Sequence, residues 1–324
     1  MVFPKSSRRS GALPPISPPS CAAPWKRNNP ERSLPPMKLT ALIENESPRE
    51  DLFAEHGLSL LIEADGRRYL MDTGASDAFL PNARTLGFDL RGLDGVILSH
   101  NHNDHTGGIR QMAEHDPQVR FFFKNAAHNR PYQVSEEPRI YPGEQVGLRE
   151  RYIGEPEGFF SRMGDRITWV EESFQLSNRL YLCSAAGIDP HFSCKDSTLC
   201  TLADGVMVPD DFSHEMFLVE AGDKGLAIVS SCSHNGIVNI ARSAMAQFPG
   251  KPIRYIVGGF HLGGSSRLVC PPEFVEETAS QLLALGCEAI YTCHCTGRLA
   301  YSTLKERMGE VLHYLQTGDT LALE

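Results

Sequence analysis

Four side chains that bind metals fall within six residues in the run Ser99-His100-Asn101-His102-Asn103-Asp104-His105-Thr106-Gly107-Gly108. His100 and His102 are two apart, so in extended backbone they project to the same side and can grip one cation. Asp104 and His105 follow just past the bend and can grip a second. Imidazole nitrogen and carboxylate oxygen suit zinc, with iron or manganese as alternatives. The competing reading is a polar loop of solvated histidines. Density argues against it, because only 12 histidines exist in the chain and three stand here beside an aspartate. Two divalent cations so held polarise a carbonyl or phosphoryl oxygen and acidify water, which is hydrolytic machinery. Asp104 is placed both to bind metal and to orient that water, which makes it a catalytic candidate as well as a ligand.

Other candidates follow apolar runs. Residues 228–230, 255–257 and 290–292 read as strands, and each is followed closely by a histidine: His234, His261 and His294. Parallel strands would bring these ends to the edge where the ligand run sits. His234 is the candidate to complete the first cation site. His261 is a ligand or a substrate-facing acid, with a packed histidine as the plainer alternative. Cys232 can ligate as thiolate or simply pack. His56 is a neighbour of the first site or merely structural, and His128, His191 and His214 read as surface residues. Gly263-Gly264-Ser265-Ser266 offers backbone amides to a phosphate oxygen, or is a flexible turn. Cys293 and Cys295 flank His294, and the two thiols are not both expected to be ligands.

The elements that must position these groups are strand-rich first and alternating later. Residues 38–43, 58–64 and 68–71 read as strands, the last two joined by the Asp65-Gly66 turn signal. Residues 95–98 form a short apolar strand that feeds the ligand run, and a helix is expected around 108–114. Residues 124–165 are rich in Pro, Gly and charge, and predict an irregular insertion covering the site. Two strands at 215–220 and 226–230 flank Gly222-Asp223-Lys224-Gly225 as a hairpin. Helices at 237–247, 272–285 and 299–314 then alternate with strands at 254–257 and 289–292. This order predicts mixed sheets covered by helices.

The chain has 324 residues, 41% hydrophobic and 22% charged, enough to bury a sizeable core. The first 36 residues stand apart: six basic side chains against one acid, and nine of the 22 prolines. They predict a disordered tail, read as an upstream extension before Met37 or as a targeting segment. With a net charge of −9 overall and +5 in the tail, residues 37–324 carry −9 − 5 = −14. So acidic a body argues against a nucleic-acid partner. The absence of a long apolar run argues against a membrane span. Nine cysteines, an odd number without an export signal, point to reduced thiols and a cytoplasmic location.

The His-x-His-x-Asp-His pattern of residues 100–105, with Met71-Asp72-Thr73-Gly74 at a preceding strand end, resembles the metallo-β-lactamase superfamily across about residues 37–324. The resemblance implies an α/β fold, a four-layer αββα sandwich, with a dinuclear centre at one edge. It implies that Asp72 fixes the ligand run by hydrogen bonds, and that His294 serves the second metal together with Asp104 and His105. The chain departs from the superfamily in lacking a clear Gly-Asp for a bridging aspartate, roughly where Cys232 stands. Glu55-His56-Gly57-Leu58-Ser59, Ser231-Cys232-Ser233-His234-Asn235-Gly236-Ile237, Gly258-Gly259-Phe260-His261-Leu262 and Cys293-His294-Cys295-Thr296-Gly297 resemble the subgroup named for 7,8-dihydropterin-6-methyl-4-(β-D-ribofuranosyl)aminobenzene-5′-phosphate synthase. The resemblance therefore implies a small-molecule substrate, phosphorylated or pterin-like. A general hydrolase of an ester, lactone or phosphodiester is the alternative, and a non-catalytic metal- or ligand-binding module is a third. A flavo-diiron oxidoreductase would carry Glu where Asn101 or Asn103 lies and an appended flavin domain, and neither is present.

Overall fold

The computed structural model describes residues 35–136, 148–203, 205–264 and 267–324. The expected tail falls almost wholly outside them. Met37, the first strand residue, is fully buried.

Two seven-stranded sheets carry the fold. The first is ordered Thr320–Leu323, Met37–Ile43, Ser59–Ala64, Arg67–Met71, Gly95–Ile97, Phe121–Lys124, Ile167–Val170. The second is ordered Leu312–Tyr314, Ala289–Thr292, Ile253–Gly258, Leu226–Ser230, Phe217–Ala221, Leu180–Cys183, Ser173–Gln175. The strands are apolar on both faces, and period-two alternation divides their side chains between two cores. In Ser59–Ala64, Leu60, Ile62 and Ala64 face the opposing sheet, whereas Leu61 faces outward. In Leu226–Ser230, Ala227 and Val229 join the same inter-sheet core, and Leu226 and Ile228 pack under helices. The helices Phe79–Thr85 and Ile109–His115 cover the first sheet. Ile237–Gln247, Pro272–Ala284 and Arg298–Met308 cover the second. This is the four-layer αββα sandwich.

The hairpin at Asp65-Gly66 forms as its residues require: both have positive φ, +55° and +70°, and Ala64 pairs with Arg67. Residues 124–165 are less irregular than their composition predicts. Pro131–Glu136 and Leu148–Tyr152 pair with each other, and the former pairs with Leu199–Ala203, in a small four-stranded sheet completed by Val206–Pro209. Their weak periodicity has a physical cause: Leu148–Tyr152 is exposed over most of its length, so neither face needs apolar residues. The stretch 137–147 lies outside the described residues.

Strand direction fixes where the chemistry goes. Arg67–Met71 and Gly95–Ile97 are parallel neighbours in one sheet. Leu226–Ser230, Ile253–Gly258 and Ala289–Thr292 are parallel neighbours in the other. Their carboxyl ends therefore emerge together, and the segments that leave them carry Asp72, the ligand run, Cys232, His234, His261 and His294.

Candidate metal centre

The ligand run leaves its strand extended and then coils. His102 has φ −113° and ψ 146°, which keeps it on the side of His100, and Asn103–Thr106 forms one helical turn carrying Asp104 and His105. Gly107 and Gly108 permit the close approach that follows: a side chain on either would strike the backbone of Ala75 or Ser76.

Two donor sets result. His100, His102 and His234 offer ligand atoms within 4.8 Å of one another, as do Asp104, His105, Cys232 and His294. In the first, His100 Nε2 and His234 Nε2 are 3.2 Å apart. In the second, Asp104 Oδ2 lies 3.4 Å from His105 Nε2 and 3.3 Å from His294 Nε2, and Cys232 Sγ lies 3.1 Å from His105 Nε2. The sets adjoin, with the His100 and His105 ring centroids 4.3 Å apart.

Hydrogen bonds fix which ring nitrogen points inward. His105 Nδ1 donates to Asp72 Oδ2 at 2.8 Å, and His294 Nδ1 donates to Asn45 Oδ1 at 2.9 Å. Ser99 Oγ spends its hydrogen on Asp72 Oδ2 at 2.7 Å, so it accepts from His100 Nδ1 at 2.8 Å. Each tautomer leaves an Nε2 lone pair facing the centre. Lone pairs of His105 and His294 thus converge on an acceptor carboxylate. His102 Nε2, His234 Nδ1 and His294 Nε2 are buried without a partner. Buried acceptors crowded in this way require a cation between them, so these residues fit metal ions.

The electrostatics agree. Burial, then neighbouring imidazoles, holds His100 and His234 well below the usual histidine range, and burial with His214 pushes His102 down to about 3. These three stay neutral, as ligands must. Burial would also lower His105, but Asp104 and Asp72 outweigh it and raise that ring to about 10, so without a cation its Nε2 holds a proton that a bound metal ion displaces. The second set attracts positive charge.

Three buried carboxylates hold this arrangement. Asp72 accepts from Ser99 N, Ser99 Oγ, His105 Nδ1 and Ser231 Oγ, the last at 2.5 Å, tying both sheets' ends together as expected. Glu44 accepts from His294 N at 2.6 Å, and Glu215 accepts from His234 N at 2.7 Å. The sequence analysis missed Glu44 and Glu215. Their signal was an acid beside a mostly apolar strand, where a charge needs a partner. Several residues around the site are strained: Asp72, Ser233, His261 and His294 all have positive φ without being glycine.

Other expectations change. His214 is buried, not a surface residue: its Nδ1 accepts from Asn101 N at 3.1 Å and its Nε2 donates to Asp210 at 3.1 Å. It braces the backbone between His100 and His102. His56 adjoins the second set, not the first, with Nε2 3.4 Å from Asp104 Oδ2. The amides of Gly263 and Gly264 donate to Cys295 O and Arg267 O, so they make no phosphate cradle, and Ser265 and Ser266 lie outside the described residues. His128 and His191 are exposed. His261 joins neither set. It stands among Cys194, Cys232, His234 and Cys295.

Comparison with known proteins gives this architecture its class. Residues 53–177 match the model of the metallo-β-lactamase superfamily. The match to a metallo-β-lactamase superfamily domain thus spans this part of the chain. It is 29% identical over 294 residues to the 7,8-dihydropterin-6-methyl-4-(β-D-ribofuranosyl)-aminobenzene-5′-phosphate synthase of Methanocaldococcus jannaschii, covering 87% of this chain and 95% of that protein. A solved metal-dependent hydrolase of the β-lactamase superfamily is 28% identical, with a TM-score of 0.72 over 89% of this chain and 99% of that one. The metallo-β-lactamase fold protein YhfI of Bacillus subtilis, 11% identical with a TM-score of 0.52 over 89% of this chain and 99% of its own, shares the fold.

Proposed function

We propose that this chain is a dinuclear metal-dependent enzyme acting on a small phosphorylated or pterin-like molecule. The observation that carries this reading is the pair of adjoining donor sets, in which His102 Nε2 and His294 Nε2 are buried without a partner and His100 Nε2 faces His234 Nε2. His100, His102 and His234 hold one cation, and Asp104, His105 and His294 hold the other, with Cys232 as a further ligand of the second. Zinc suits this mixture of imidazole, carboxylate and thiolate best, and iron or manganese are the alternatives. Such cations supply Lewis acidity at a reacting oxygen and acidify water.

The chain's own groups do the rest. Asp104 binds cation and orients the reacting group. Asp72, Glu44 and Glu215 hold ligand positions so that no reorganisation is needed during reaction. His261 faces the same centre, as proton donor or as ligand.

Similarity over 95% of the M. jannaschii synthase supports a reaction of the synthase type, in which a diphosphate leaves while a carbon nucleophile attacks. Similarity to the solved hydrolase favours a second reading, hydrolysis of an ester, lactone or phosphodiester. Metal-loaded protein incubated with a dihydropterin diphosphate and an aryl ribofuranoside phosphate, and separately with phosphodiester and lactone substrates, separates them by mass spectrometry. A joined pterin–aryl product supports the first reading and simple water addition the second. Metal-free protein that turns over normally would sink both.

A further inference from the structure

Next to the two donor sets is a chamber rich in sulfur. We infer that Cys232, His261 and Cys295, with Cys194 as the fourth donor, form a third cation site that takes a thiophilic ion such as Zn²⁺. It rests on the reading above at one point, since Cys232 would be shared with the second set.

The geometry is near what such an ion needs. Ligand atoms of Cys232, His261 and Cys295 lie within 4.8 Å of one another. Tetrahedral zinc, with Zn–S of about 2.3 Å and Zn–N of about 2.0–2.1 Å, sets donors roughly 3.4–3.8 Å apart. Those separations fall inside the 4.8 Å within which the three donors lie. Cys194, His234 and His261 form another triplet within 4.8 Å, which brings the Cys194 thiol to the ring of His261 as well.

No hydrogen bond accounts for the His261 ring in the chamber. Both its ring nitrogens are shielded from solvent and without a hydrogen-bond partner. The carboxylate of Asp196 is 3.9 Å from Nε2, beyond hydrogen-bond length. The residue is nevertheless fixed in a left-handed conformation, φ +47°, and its backbone N–H donates to Cys295 Sγ at 3.3 Å. An N–H aimed at sulfur favours the thiolate that a metal requires.

The other buried cysteines among the described residues differ. Cys183, Cys270 and Cys287 pack in the hydrocarbon core under the helices, and Cys293 packs between the sheets. Those are inert packing thiols. Cys232 and Cys295 instead meet each other and an imidazole. Three thiolates, a neutral imidazole and a divalent ion sum to a net charge of −1, against −3 for the bare thiolates, so thiolates buried together here call for a cation. Four protein donors leave no open position, so the ion would be structural, pinning the segment that carries Cys194 to the ends of the strands.

The test is cation counting on the full chain. After chelation, protein is titrated with Zn²⁺ for elemental analysis and with Cd²⁺ for thiolate-to-metal absorbance. Three equivalents are expected for the wild type, and two for Cys295→Ser, with loss of part of the absorbance. His100→Ala with His102→Ala should remove the first-set ion and leave the Cys295-dependent absorbance in place, so failure of the dinuclear reading is told apart from failure of this one. Two equivalents in the wild type, or a spectrum unchanged by Cys295→Ser, overturns the proposal. Should that variant misfold, cadmium NMR of the wild type decides: three resonances, one shifted as sulfur-rich coordination requires, support the site, and two resonances overturn it.

Discussion

Replacing Asp72 by Asn changes charge and acceptor capacity while leaving the backbone undisturbed, because asparagine tolerates the left-handed conformation that Asp72 adopts at φ +61°. Every group around the carboxylate is a donor: Ser99 N, Ser99 Oγ, Ser231 Oγ and His105 Nδ1. An amide offers only one oxygen. With its NH₂ at the Oδ2 position, three donors lose their acceptor, and His105 must shift its proton to Nε2 to accept at Nδ1. That nitrogen then cannot ligate. With the NH₂ at Oδ1, it opposes the Ser99 backbone N–H. Either orientation penalises the second cation, whose set contains His105, more than the first. Loss of such an outer partner typically costs ~10–100-fold in affinity, about 1.4–2.8 kcal/mol at 1.4 kcal/mol per tenfold. The metal-free fold should also weaken, by roughly 1.5–3 kcal/mol for one charge-assisted hydrogen bond left unmade. Titration against a competing chelator measures each cation, and urea unfolding of metal-free protein measures the fold. If Asp72→Asn holds the second cation within about twofold of wild type while the first weakens, the tautomer argument is wrong.

Asp104→Asn should lose the second cation and most activity yet keep the first, because His100, His102 and His234 remain; retention of both cations with normal turnover would remove Asp104 from the ligand set. Glu215→Gln should weaken the first cation more than the second, since its carboxylate grips His234 N and Asn235 N, and equal weakening of both would show that the clamp is not local. A chain beginning at Met37 should keep its melting temperature and its cations, as the strand Met37–Ile43 supplies the first buried residues; a large fall on scanning calorimetry would show that the tail packs. Asp65 is held below the usual carboxylate range: burial opposes this, but Ser177 and Arg179 outweigh it. A depressed folded-state pKa gives stability that is present above the unfolded value of about 3.9 and lost as pH falls through the folded one. The wild type should therefore exceed Asp65→Asn by about 1–2 kcal/mol in urea melts at pH 6, and the gap should close under acid; a gap that widens there refutes the assignment.

The local sequence determined the ligand run and its strand-end neighbours. Two-residue spacing places His100 with His102 wherever the backbone is extended, and apolar runs ending in His234, His261 and His294 mark strand ends whether or not their partners are known. Mixed sheets covered by helices were legible in the order of apolar runs and helices, and the four-layer sandwich was what the family resemblance implied. What tertiary structure alone decided were the contacts between segments far apart in the chain. Glu44 grips His294 across 250 positions, and Cys232 meets His105 across 127. No local pattern encodes such pairs, since each depends on sheet order and register. The division between Cys232 and His234 is likewise geometric: Ser233 turns with φ +59°, sending one ligand to each set. His214 looked like a surface histidine because its neighbours are polar. It is buried because Asn101 needs an acceptor for its backbone N–H where the ligand run bends, and only the folded chain brings the two together.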